Sequence, residues 1–149
     1  SLYTFWKRTA PAPVMMTLDA AKRDVCMVQR ERTASPLQAL VLLNDPQLLE
    51  AARVLGEKVL IENERDVGRS IRAMFQALTS RHPEAAEMRV LESLFAQQHE
   101  FYQQYPQRAE QFANVGEAPR DDSLPAPLSA AMGLLANTLM NLDESVMKR

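Results

Sequence analysis

One short stretch of this sequence gathers Arg30, Glu31, Arg32, Thr33, Gln38, Asn44 and Asp45. Two guanidinium groups this close could grip a carboxylate, a sulfate or a sugar acid, because the planar fork pairs with two oxygens at once. The same residue types also build structure. Ser35 followed by Pro36 and then Gln38 has the pattern of a capping box, and Asp45 before Pro46 repeats a helix-start signal. Capping accounts for Gln38 and Asp45 without any ligand. The cluster therefore reads first as a structural or interface set, and only second as a ligand-binding or hydrolytic site.

The remaining reactive residue types are scattered. Asp121 and Asp122, and Asp143 and Glu144, are adjacent pairs. Neighbours in sequence diverge on a helix, whereas glycosidase carboxylates face each other across roughly 5–9 Å. His82 and His99 lack the His-Glu-x-x-His spacing of a metal site. Cys26 lies in an apolar run, where a thiol is inert packing. Met15, Met16 and Met27 have the chemistry of an axial haem ligand, but methionine is also a common core filler. Tyr3, Phe5 and Trp6 could stack on a sugar, although an arm docking through its aromatics is the plainer use. No catalytic residue, metal ligand or cofactor contact is assigned from these patterns.

The elements that would position these residues are mostly helical. With 149 residues, 46% apolar and 24% charged, the chain has the size and composition of one globular domain. Pro11 and Pro13 argue against regular structure near the start, and residues 2–6 and 25–28 are short β-prone runs. Residues 1–35 thus read as an extended arm with at most one short β-hairpin. Residues 36–149 read as an irregular all-α bundle of about five helices. The first, over residues 37–43, is apolar almost all round, as for a helix buried on every side. The second presents Leu48, Ala52, Leu55 and Val59 on one face. Asp66 opens a third, with a stripe of Val67, Ile71, Met74, Phe75 and Leu78. The fourth runs from Pro83 to about Tyr105, with an apolar stripe of Met88, Leu91, Phe95, Tyr102 and Tyr105. A helical turn follows Pro106, residues 116–127 form a polar loop expected to be mobile, and a last helix carries Leu128, Met132, Leu135, Leu139 and Leu142.

Charge narrows the partners. A net charge of −2, from 17 basic and 19 acidic residues intermixed along the chain, offers no field to attract nucleic acid. No apolar run reaches the roughly 20 residues of a membrane helix, so this chain is not expected to insert. A single cysteine excludes an internal disulfide. The start at Ser1, without an initiator methionine, suggests the C-terminal part of something longer.

The string Arg30-Glu-Arg-Thr-Ala-Ser-Pro-Leu-Gln-Ala-Leu-Val-Leu-Leu-Asn-Asp-Pro46, with Ser1-Leu-Tyr-Thr-Phe-Trp-Lys-Arg8 before it and Leu139-Met-Asn-Leu-Asp-Glu144 near the end, resembles a planctomycete-specific C-terminal domain of unknown function. Where many relatives have Thr-Asn-Thr-Pro, this chain has Thr33-Ala-Ser-Pro36. The resemblance implies a large extracytoplasmic, periplasmic parent protein with a haem c module upstream. That haem would not be held here, since the chain has no Cys-x-x-Cys-His. The expected role is a non-catalytic helical module that contacts other domains of its parent, or a protein partner, in a redox or polysaccharide-processing setting. Two alternatives are a hydrolytic or ligand site at the 30–45 cluster and an acidic-polysaccharide site on Arg30 and Arg32.

Overall fold

The computed structural model describes residues 7, 11–20, 33 and 35–146. Arg30, Glu31, Arg32, Cys26, Met27, the aromatic set at 3, 5 and 6, and both β-prone runs lie outside the described residues. The chain forms two compact units, residues 1–41 and 42–149. Among the described residues there are eight helices and no strand, so the all-α class holds. The expected five are joined by three short ones.

The first of these corrects the reading of the prolines. α1 (Pro13–Thr17) begins at Pro13 itself, where the missing N–H costs nothing and the fixed φ already suits a helix. α2 (Pro36–Asn44) starts at the capping box: the Ser35 N–H donates to Gln38 Oε1 at 2.9 Å, and the Gln38 N–H to Ser35 Oγ at 3.3 Å. Asp45 opens α3 (Pro46–Glu62), its Oδ1 accepting the Gln47 N–H at 2.9 Å. Asp66 opens α4 (Val67–Thr79) in the same way, accepting from the Arg69 N–H at 2.9 Å. These ends close because short acceptor side chains reach amides that the helix cannot pair.

α5 (Ala85–Gln104) follows, and Pro106 turns the helical turn expected there into a full element, α6 (Pro106–Ala113). Tyr105, expected on the buried stripe of α5, falls at the corner between the two and is 50% exposed. α7 (Ala126–Met140) is the centre of the larger unit and packs against α3, α4, α5, α6 and α8 (Asp143–Val146). The sequence pattern suggested a leucine seam along one side of α7. Instead no residue of α7 is exposed, and Ser129, Ala130, Ala131, Gly133, Ala136 and Asn137 are buried along with Met132, Leu135 and Leu139. Small side chains let neighbours close in from every direction, whereas Leu142 lies beyond the helix and is 38% exposed.

α3 approaches α7 to backbone contact. A Cβ on Gly56 would lie 2.9 Å from the Gly133 backbone nitrogen, so the two backbones touch at that crossing. The core around it includes Ala52, Leu60, Ile71, Met74, Phe75, Leu91 and Phe95. This part of the molecule follows the stripes of α3, α4 and α5.

Candidate functional site

α2 departs most from what its composition suggests. Its one buried residue is polar: Gln38 is 6% exposed, whereas Leu37 and Leu40 are each 57% exposed and Leu43 is 44% exposed. At 100° per residue, Gln38, Val41 and Leu42 fall on one side, and Pro36, Leu37, Ala39, Leu40, Leu43 and Asn44 on the other. The partly or wholly buried positions are the first set and the exposed ones the second. The expectation of a helix buried all round is therefore wrong. The helix turns Leu37, Leu40 and Leu43 outward and keeps Gln38, Val41 and Leu42 on its covered side.

Its inward side is fixed by hydrogen bonds at both ends. Gln38 Nε2 donates to Asp19 Oδ2 at 3.0 Å and to Thr33 Oγ1 at 2.9 Å. The same Asp19 oxygen accepts the Thr33 N–H and the Thr33 hydroxyl, each at 2.8 Å. Asp19 sits at φ 55, a left-handed position that Asp tolerates better than most residues. The Thr33 N–H, then its hydroxyl, hold the Asp19 carboxyl below its usual range; the Gln38 amide adds less, and partial burial opposes the shift. A carboxylate held ionised by three donors on one oxygen is a good latch and a weak general base. At the other end, Asn137 Nδ2 of α7 donates to the Leu42 carbonyl at 3.0 Å.

The sequence cluster thus divides. Thr33 and Gln38 meet at Asp19. Asp45 caps α3 at the far end of α2, about 10 Å along the axis from Gln38. Asn44 closes α2 on its exposed side. Thr33, Gln38 and Asp45 are each engaged in local structure.

A second polar node was not visible in the sequence. Arg53 is fully buried on α3; its Nη1 donates to both carboxylate oxygens of Glu57, at 3.2 and 3.0 Å, and its Nη2 to the Ala118 carbonyl at 2.7 Å. Ser129 Oγ donates to Glu57 Oε1 at 2.6 Å. A serine hydroxyl on a carboxylate resembles an activated nucleophile. Here both partners are buried, Ser129 at 0% and Glu57 at 5% exposure, and Arg53 already occupies the carboxylate. The node holds α3, α7 and the 116–125 connection together. One turn earlier, Glu50 Oε1 accepts the Glu117 and Ala118 N–H groups at 3.1 and 2.6 Å, with Gly116 at φ 92 making the turn. A loop expected to cross the surface loosely is instead fastened to α3.

The other candidates also resolve into structure. Asp121 accepts the Ser123 N–H at 2.8 Å. Glu144 pairs with Arg81 at 2.9 Å, and Arg81 forms a second pair with Glu87 at 2.7 Å while its guanidinium lies 4.8 Å from the Phe75 ring centroid. His99 stacks on Phe95 at 5.6 Å. Among the described residues, no three His, Cys, Asp or Glu side chains gather as metal ligands, and no helix is long and apolar enough to cross a membrane.

A family model described as "PSD1: Protein of unknown function (DUF1553)" matches residues 1–95. The chain belongs to the PSD1 family. The matched stretch holds the Asp19, Thr33 and Gln38 latch together with α1 to α4 and the first half of α5, while α7 lies beyond it. No curated protein and no solved structure matches the chain.

Proposed function

We propose that this PSD1 chain is a non-catalytic helical docking module of a larger extracytoplasmic protein. The strings around Arg30 to Pro46, at the start and near the end support a planctomycete parent with a cytochrome c module elsewhere in the polypeptide, in a redox or polysaccharide-processing setting. This chain's part would be mechanical.

The observation that carries the reading is α2, latched inward through Gln38 and presenting Leu37 and Leu43 at 57% and 44% exposure. No charged residue lies between Ser35 and Asn44, so the face suits a neutral, apolar partner surface. Magnitudes favour an intramolecular one. Burying the half of these two leucines that is still exposed contributes roughly 1.5–3 kcal/mol, less than the roughly 4–15 kcal/mol that free association costs. A domain on the same polypeptide avoids most of that cost, because tethering raises its effective concentration. The occupant is therefore an apolar face of a neighbouring domain of the parent protein.

The test compares the whole parent protein with its Leu37→Glu/Leu43→Glu variant by small-angle scattering and limited proteolysis. Docking predicts a more extended molecule, cut more readily between domains, with helical content unchanged. An unaltered envelope and cleavage rate would sink the proposal, as would substrate turnover by the isolated chain.

A further inference from the structure

An arginine at the corner between α5 and α6 lies over two aromatic rings. The Arg108 guanidinium carbon lies 5.6 Å from the Phe101 ring centroid and 5.5 Å from that of Tyr105. The two rings are 5.0 Å apart and tilted by 46°. Two aromatic faces fix the direction of the guanidinium. Its N–H edge donates to no acceptor among the described residues. The nearest acid on α6, Glu110, is committed to Arg120 at 2.6 Å. Arg108 is exposed, and Tyr105 is 50% exposed.

We infer that this corner binds a uronate-type unit, a six-membered sugar ring bearing a carboxylate. The Arg108 fork matches the carboxylate with two parallel hydrogen bonds. The exposed part of the Tyr105 ring offers an apolar surface to the carbon–hydrogen face of the sugar. Gln107, exposed, supplies a neutral amide for its hydroxyls, while the Gln104 amide already donates to Glu100 Oε1 at 3.5 Å. An acidic peptide would be better served by several cations, and this corner presents one, with the Glu100 carboxylate paired to Gln104 nearby. The site is distinct from the leucine face of α2, so each can fail without the other.

Titration calorimetry at low salt, with the protein carrying this chain intact, tests the inference using oligogalacturonate, a neutral galacto-oligosaccharide of equal length, and polyglutamate. Oligogalacturonate should bind at least ~10-fold more tightly than either of the others, since the fork and the ring are then both used. Arg108→Ala should weaken it by about 10-fold or more, Arg108→Lys should restore only part because the fork is lost, and Tyr105→Phe should change it little. Circular dichroism checks that each variant keeps its helices; should Arg108→Ala lose them, Arg108→Gln replaces it and must give the same loss. No binding of oligogalacturonate, equal binding of polyglutamate, or indifference to Arg108 would overturn the assignment.

Discussion

α2 and α7 look alike as strings: both are largely apolar, and neither holds a charged residue. Their fates differ. α7 is covered along its whole length, and α2 turns three leucines outward around one buried glutamine. The contrast lies in side-chain size. α7 alternates alanines, serine and glycine with larger residues, so several helices approach it closely, down to backbone contact at Gly56 and Gly133. Leucines dominate α2, and its one alanine, Ala39, is on the exposed side. Hydrophobicity determines that a helix seeks cover, but small residues determine whether it can be covered on every side at once.

Substitutions should separate the two helices by the scale of their effects. The largest belongs to the node against α7. Arg53→Ala strands the buried Glu57 carboxylate and should cost about 3–5 kcal/mol in urea unfolding, whereas Arg53→Met with Glu57→Leu should recover most of it. Gly56→Ala should cost about 1–3 kcal/mol, because the added methyl meets backbone atoms of α7 that have no rotamer to change. At α2, Gln38→Ala removes the reciprocal cap and its bond to Asp19, worth about 1 kcal/mol. Leu37→Gln in the isolated chain should shift stability by no more than about 0.5 kcal/mol, since the residue is mostly in water. A loss of about 2 kcal/mol there would mean that α2 is already covered.

A smaller effect, outside both helices, comes from pH. Arg81 first, and then the Glu84 N–H, depress the Glu87 carboxyl from 4.5 to about 2. A depressed folded-state value means the pair's contribution is fully present above about 4.5 and is lost as pH falls towards 2. Acid titration of Arg81→Ala, followed by circular dichroism, should show a shallower decline over that window. An identical decline would place the sensitivity elsewhere.

Helix starts were plain in the sequence because their signals are local. Ser35, Asp45 and Asp66 each cap the helix that their neighbours announce, and the stripe of α4 is buried as its spacing requires. Orientation was less accessible. A helix that is apolar all round carries no periodicity to say which side meets water, so the outward turn of α2 had to come from Asp19, distant in sequence from Gln38. Arg53 and Glu57 have the spacing of an ordinary surface pair, and their burial follows from the approach of α7 and the 116–125 connection. The 30–45 cluster looked continuous as a string, but a helix separates Thr33 and Gln38 from Asp45.

Hydrogen exchange over residues 36–44 tests the docking role most directly, measured on the isolated chain and on the whole parent protein under the same conditions. The account predicts slower exchange in the parent, with the added protection lost in Leu37→Glu/Leu43→Glu and the amides of α7 unchanged. Equal exchange rates for α2 in the two proteins would contradict it.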